Sequence, residues 1–269
     1  MIIPTKEVRF EFGKNWNKFL KVIDEMRIIE AENSLKQMLD IDNLESKSFL
    51  DIGCGSGLFS LAARRLGAKV YSFDYDRQSV ACTLKLKDRY FPNDFNWKIQ
   101  QGSVLDNDYL RSLGQFDIVY AWGVLHHTGA MWQAMENVCS LVKVGGRLFI
   151  AIYNDQGIRS KVWWRVKKFY CSGTINKILV TSFFIPCFII KGIIVDFAKL
   201  KNPIKRYTEY KKSRGMSIVY DWFDWLGGFP YEFAKPQDII NFYKLRGFVL
   251  QKIKIHGRSG NNEFVFERK

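Results

Sequence analysis

The strongest constraint on the fold is an alternation. Between residues 46 and 157, short apolar runs of strand type are separated by stretches whose apolar positions recur with the period of a helix. "SKSFLDIGCGSG" is an apolar run ending in glycines, and "LFSLAARRLG" after it reads as a helix closed by Gly67. "AKVYSFDYD" and "RQSVACTLKLKDRY" repeat strand and helix. "FNWKIQQGSV" is a third strand, "FDIVYAWGVLHH" a fourth, "AMWQAMENVCSLVK" a helix and "GGRLFIAIYND" a fifth strand. Parallel strands must be joined by crossovers, so this order predicts an α/β fold with a doubly wound, mostly parallel sheet.

After Ile158 the alternation stops for nearly sixty residues. It resumes with a helix, "KPQDIINFYKLRGF", and two strands, "VLQKIKIH" and "NNEFVFERK", whose turn-rich connection "GRSG" predicts an antiparallel pair closing a seven-stranded sheet. Three parts follow: an N-terminal helical extension (1–46), a core (47–157 and 215–269) and a helical insertion after the fifth strand (158–214). In the extension Trp16, Phe19, Leu20, Ile23, Met26 and Ile29 fall at helical spacing, which predicts one or two amphipathic helices. An apolar content of 47% is enough for a core without staples. Five cysteines, an odd number with no C-x-x-C pair, suggest neither a disulfide framework nor a zinc site, and a reducing cytoplasm is the expected compartment. "MIIPTKEVRFEF" lacks the basic start and long apolar stretch of a signal peptide, so secretion is not expected.

"DIGCGSG" sets Gly53, Gly55 and Gly57 between a strand and a helix, where missing Cβ atoms permit a sharp turn and let a ligand lie against the backbone. By itself this is a tight turn. Asp74, at the end of the next strand and 21 residues after Gly53, stands at the offset where an acid takes ribose hydroxyls. The spacing is G-x-G-x-G rather than the G-x-G-x-x-G of dinucleotide sites, and Asp51 before the turn suits a ligand with an ammonium group better than one with two phosphates.

At these residues the chain resembles the class I S-adenosylmethionine-dependent methyltransferases. "FLDIGCGSG" is similar to their first motif, "FDYD" to the acidic end of their second strand, "FDIVYAWGVLHH" to their fourth strand, and "VKVGGRLFIAIYN" to the approach to their fifth. The resemblance covers about residues 46–157 and 235–269 and implies S-adenosyl-L-methionine as cofactor. It implies that Gly53, Cys54, Gly55 and Gly57 line the methionine portion, with Asp51 near the amino group, Asp74 on the ribose and Tyr75 against the adenine. Ser103 and Val104 fall where the family contacts the adenine, Ser103 replacing a more common acid. Trp122 could face the sulfonium by a cation-π contact or simply pack.

Such a cofactor carries an activated methyl group, so the protein must chiefly align the acceptor and exclude water. A hydroxyl acceptor benefits from a base, and "LHHT" supplies adjacent histidines, His126 and His127, with His126 placed first; tying the loop to the next helix is the structural alternative. Tyr153 and Asn154, at the end of the fifth strand, are expected to border the acceptor. In "DWFDWLGGFPYEFAKP", which shows little helical or strand period, Asp221, Asp224 and Trp225 are candidates for the acceptor wall, packing being the alternative. "FGKNW" is a candidate closure through Asn15 or Trp16. The scattered carboxylates and three histidines suggest no required metal.

Net charge is +14, and most of it sits in the insertion, where fourteen Lys and Arg face only Asp196 and Glu209. "IRSKVWWRVKKFY" places Ile158, Val162, Trp163, Val166, Phe169 and Tyr170 on one helical arc and Lys161, Arg165, Lys167 and Lys168 largely on the other. "ILVTSFFIPCFIIKGIIV", Ile178 to Val195, follows. Lys191 leaves only the 13 residues Ile178 to Ile190 uncharged, and Pro186 lies among them, so the run is expected to be the apolar centre of a lid rather than a membrane span. The open alternatives are contact with an anionic membrane surface at the inner face of a membrane, a homodimer contact, and helical elaboration of the core. The acceptor favoured is a hydroxyl of a small molecule, a glycan or a lipid-linked intermediate. RNA methylation through the basic segment ranks below it, because no RNA-binding module is recognisable and an apolar run suits a polyanion poorly. A non-catalytic adaptor retaining the cofactor fold is the non-enzyme rival.

Overall fold

The structure is a computed structural model that describes residues 9–10, 12–208, 218–256 and 260–269; the side chains of residues 14, 15, 18, 219, 220 and 224 also lie outside the description. Seven strands, β1 (Ser48–Ile52), β2 (Lys69–Asp74), β3 (Trp97–Gln101), β4 (Phe116–Trp122), β5 (Val142–Tyr153), β6 (Phe248–Lys254) and β7 (Asn261–Arg268), form one sheet in the order β3-β2-β1-β4-β5-β7-β6. The first five are parallel; β7 runs antiparallel between β5 and β6. The doubly wound, mostly parallel seven-stranded sheet expected from the alternation is the fold of the chain.

The sheet has a packed layer on each face because its strands alternate apolar residues to both sides. Phe49, Ile118, Tyr120, Phe149 and Val265 face helices α2 (Glu25–Leu39), α3 (Leu58–Arg65) and α4 (Arg77–Tyr90). Leu50, Val119, Leu148, Ile150 and Phe264 face α5 (Asn107–Leu113), α6 (Met131–Cys139) and α11 (Pro236–Lys244). The short α5, unannounced by the sequence period, begins where Asp106 accepts the Tyr109 N–H at 3.0 Å. In the extension, α1 (Phe12–Phe19) and a 3₁₀ turn (Leu20–Val22) precede α2, which Asp24 caps. The Gly13 N–H donates to Asp76 Oδ2 at 2.9 Å, fastening α1 to the start of α4.

The insertion is α7 (Ile158–Cys171), α8 (Thr174–Ala198) and α9 (Pro203–Thr208). Two expectations are corrected here. The aromatic stretch around Trp222 is not aperiodic: Ile218–Gly227 is a helix, α10, because Ile218, Trp222, Trp225 and Leu226 share one face, a period visible only when reading begins upstream of the aromatics. Lys167 does not lie on a solvated face of α7. It is fully buried, its ammonium donating to the Trp225 carbonyl amid the rings of Tyr153, Trp225 and Tyr231, while Ile158, Val162 and Phe169 are exposed. Three π-faces and a carbonyl compensate its desolvation, which apolar arc counting cannot anticipate.

Candidate active site

A cavity of about 400 Å³ opens at the carboxyl ends of β1, β4 and β5. Its floor is the glycine turn. Gly53, Gly55 and Gly57 have φ of +70°, +56° and +81°. A Cβ on Gly53 would meet Val124 Cγ2 at 2.5 Å, and one on Gly55 would meet Trp16 Nε1 at 2.9 Å. Both backbone and close packing therefore require glycine here. Asp74 braces the turn: Oδ2 accepts the Gly55 N–H at 3.0 Å and Oδ1 the Asp76 N–H at 2.8 Å.

Asp51 stands at the end of β1. Its Oδ2 accepts the Ser60 hydroxyl at 2.5 Å, Ser60 Oγ lies 2.7 Å from Ser72 Oγ, and the Trp97 indole N–H donates to Ser72 Oγ at 2.9 Å. The indole can only donate, so each hydroxyl in turn passes its hydrogen toward Asp51. Burial pushes Asp51 up to about 7 and Asp74 up to about 6. Cys54 accepts from Thr83 Oγ1 at 3.2 Å, and burial raises its thiol well above the ordinary range, leaving it unreactive. All five cysteines are free.

At the other end of the cavity the rings of His126, His127 and Tyr153 cluster, with centroids 4.2 Å apart for His126–Tyr153 and 5.5 Å for His127–Tyr153. His127 Nδ1 lies 2.6 Å from the Pro230 carbonyl oxygen, which can only accept. The proton is therefore on Nδ1, and Nε2 carries the lone pair. Burial, followed by the charges of Lys167 and Arg9, outweighs the Pro230 bond and brings His127 down to about 3; His126, wholly enclosed, is also lowered well below the ordinary range, by burial and then by His127 and Lys167. Both imidazoles are neutral at physiological pH.

Of the residues anticipated for the cofactor, Asp51, Gly53, Cys54, Gly55 and Trp122 line the cavity, as do Trp16, His126, His127, Tyr153, Asp221 and Trp225. Gly57, Asp74, Tyr75, Ser103, Val104 and Asn154 do not. Gly57 caps α3; Tyr75 is exposed under the Arg9 guanidinium at 4.8 Å. Ser103 Oγ accepts the Leu105 N–H, the Val104 carbonyl accepts from Asn137, and Asn154 pairs by backbone with Gly260 and Ala234. Asp224 and Asn15 have side chains outside the described residues. Glu263 was missed. It is 2% exposed, lines the cavity, and lies 3.4 Å from His256 Nε2. Its signal was register: a charged residue two positions from Val265, on the same face of the strand as that buried valine.

The lining includes Asp51, Asp221 and Glu263 and many aromatic rings, and no Lys or Arg among the described residues. Carboxylates and π-faces suit a positively charged guest, and both the ammonium and the sulfonium of S-adenosylmethionine are of that kind.

Residues 50–148, from β1 into β5, match a family described as a methyltransferase domain. The chain is 28% identical over 144 residues to the ubiquinone biosynthesis O-methyltransferase of Coxiella burnetii, a match covering 52% of this chain and 56% of that protein, so the chain spans little more than half the length of that relative. Among solved structures it is similar to magnesium protoporphyrin IX methyltransferase from Synechocystis PCC 6803 with bound S-adenosylhomocysteine (TM-score 0.56, 14% identity, 95% of this chain and 94% of that one). It is also similar to PKMT2 from Rickettsia typhi (TM-score 0.58, 14% identity, 89% and 52%). The strand order, the glycine turn and these likenesses define a Rossmann-like methyltransferase fold. Residues 50–148 carry a methyltransferase domain, and the chain has the class I fold of S-adenosylmethionine-dependent methyltransferases.

Proposed function

We propose that this methyltransferase acts on a hydroxyl group of a small molecule, a glycan or a lipid-linked intermediate. The observation that carries the reading is the tautomer of His127: Nδ1–H is held by the Pro230 carbonyl, and the lone pair of Nε2 belongs to a ring lining the cavity. S-adenosylmethionine, when bound, supplies a methyl group already activated by its sulfonium. Asp51 would take the ammonium, Asp74 the ribose hydroxyls and Tyr75, outside the cavity lining, the adenine, while Trp16 and Trp122 offer aromatic faces near the glycine turn. As the acceptor oxygen forms its new bond to carbon it must shed a proton, and Nε2 of His127 receives it. The imidazole is neutral at physiological pH, with its Nε2 lone pair unprotonated, and burial that holds it near 3 makes it a weak base. Tyr153 and Trp225 shape the acceptor space and exclude water. His126 supports the Tyr153 ring from behind. The O-methyltransferase activity of the Coxiella relative supports the same acceptor atom.

The test is a cell extract incubated with the protein and radiolabelled S-adenosylmethionine, then separated into lipid, glycan, RNA and small-molecule fractions. Label in a methyl ether linkage supports the reading, and label in a methyl ester, the product of a carboxylate, counts against it. Label on nitrogen, or in RNA alone, refutes it.

A further inference from the structure

α8 has two faces. Val180, Phe184, Phe188, Gly192 and Asp196, one turn apart in succession, face the protein. Phe184 lies 5.1 Å from the Trp163 ring and Phe188 6.2 Å from Trp225. Gly192 lets Arg206 approach, and Arg206 forks onto Asp196 at 2.6 Å through both oxygens. The opposite face carries Leu179, Phe183, Ile190, Ile194 and Phe197, each 57–66% exposed, with no charge among them. Only 11% of the helix's most apolar 18-residue window is buried, although α8 is long and apolar enough to cross a membrane. Crossing would require lipid on every side of the helix, and one whole side is packed on α7, α9 and α10. What remains is a helix that lies flat.

We propose that the exposed face of α8 docks in the plane of an anionic lipid bilayer, with the helix axis parallel to the surface. The occupant follows from charge. The segment from Ile158 to Arg214 holds fourteen basic residues against two acidic ones. On the elements beside α8, Lys161, Arg165, Lys168, Lys199, Lys201 and Lys205 are all exposed. Anionic headgroups neutralise such a field, whereas a second copy of this chain would bring the same positive field to the same face. Docking also leaves the acceptor wall one helix away from the membrane, because Trp225 lines the cavity and packs on Phe188, on the inner face of α8. The surface goes beyond the hydroxyl reading and does not depend on it.

The experiment is co-sedimentation of the full chain with vesicles of phosphatidylcholine, with and without one third phosphatidylglycerol, over a range of salt. Binding is expected to the anionic vesicles, weakening at least about tenfold at high salt or when the anionic lipid is omitted. The double substitution Leu179→Glu/Phe183→Glu is expected to lower it at least about tenfold while leaving thermal unfolding and S-adenosylmethionine affinity unchanged. Lys199→Glu/Lys201→Glu/Lys205→Glu, which alters no packed side chain, is expected to lower it as well. The proposal is overturned if the wild-type chain ignores anionic vesicles, if it binds neutral vesicles equally, or if both variants bind as it does. It is also overturned if light scattering shows a dimer that the α8 variant converts to a monomer, since the face would then be a protein contact.

Discussion

At the Asp51 end of the cavity the chemistry is held by main chain and short side chains: backbone N–H groups on Asp74, hydroxyls on Asp51, glycines at positive φ. At the His127 end it is held by large rings drawn from the fourth and fifth strands, α1, α10 and the loop after α10, with the Pro230 carbonyl anchoring the histidine ring. The first end is written almost entirely within one strand–turn–helix unit and its neighbour; the second is assembled across more than a hundred residues. A site of the first kind tolerates little change of shape, and one of the second can be refitted by exchanging aromatics. On the proposed function, the cofactor is thus fixed by the fold, and the acceptor by the parts added to it.

If this division is right, substitutions at the two ends should fail in different ways. The largest effect is expected from Gly53→Ala, where the new Cβ meets Val124 and the backbone φ is +70°. The strain and overpacking together should cost about 3 kcal/mol of stability in a denaturant titration and at least about a hundredfold in cofactor affinity by calorimetry. An unchanged affinity would break the comparison at its firmer end. Next, His127→Gln should lower kcat about 10²- to 10³-fold with cofactor affinity unaltered, because only the acceptor end is touched. Burial also keeps the His127 imidazole from titrating near 6.5, so kcat of the wild-type chain should show no limb there.

A third effect concerns pH. Asp51, pushed up to about 7, must ionise to receive an ammonium, so cofactor affinity should rise about tenfold from pH 6 to pH 8, with a proton released on binding. Calorimetry in buffers of different ionisation enthalpy would show that proton. The sign reverses for the free chain. An acid whose folded pKa is raised binds more protons folded than unfolded, so the stability of the cofactor-free chain should fall as pH rises from about 4 through 7. The smallest effect is expected from Tyr75→Ala. This residue is exposed, so only a few-fold loss of cofactor affinity should follow, and a loss as large as that at Gly53 would mean that the adenine is held far more tightly than the geometry implies.

The sheet was legible because its code is local: apolar runs of strand length, helix-period stretches and glycines at their junctions require no knowledge of distant contacts. The cofactor end was legible for the same reason, since Asp51, Gly53, Gly55 and Asp74 meet through neighbouring strands in parallel register. Lys167 was misplaced because its compensation comes from Tyr153, Trp225 and Tyr231, residues remote in sequence. Pro230, which fixes the tautomer of His127, is 103 residues away from it, and no spacing rule reaches that far. Glu263 was hidden by its strand, where a charge near the polar end reads as solvated until the facing is known.

The hydrogen-bonded line that ends on Asp51 has a further consequence. Trp97 is on β3, the edge of the sheet, Ser72 on β2, Ser60 on α3 and Asp51 on β1, so the line passes from the edge strand to the central one by way of a helix hydroxyl. When Asp51 gains or loses its proton, each hydroxyl along the line strengthens or relaxes its donation, and the last to respond is an indole on the outermost strand. The protein thus carries its own reporter of the charge at the cofactor site, readable in the nitrogen resonance of the Trp97 indole without any label near the ligand.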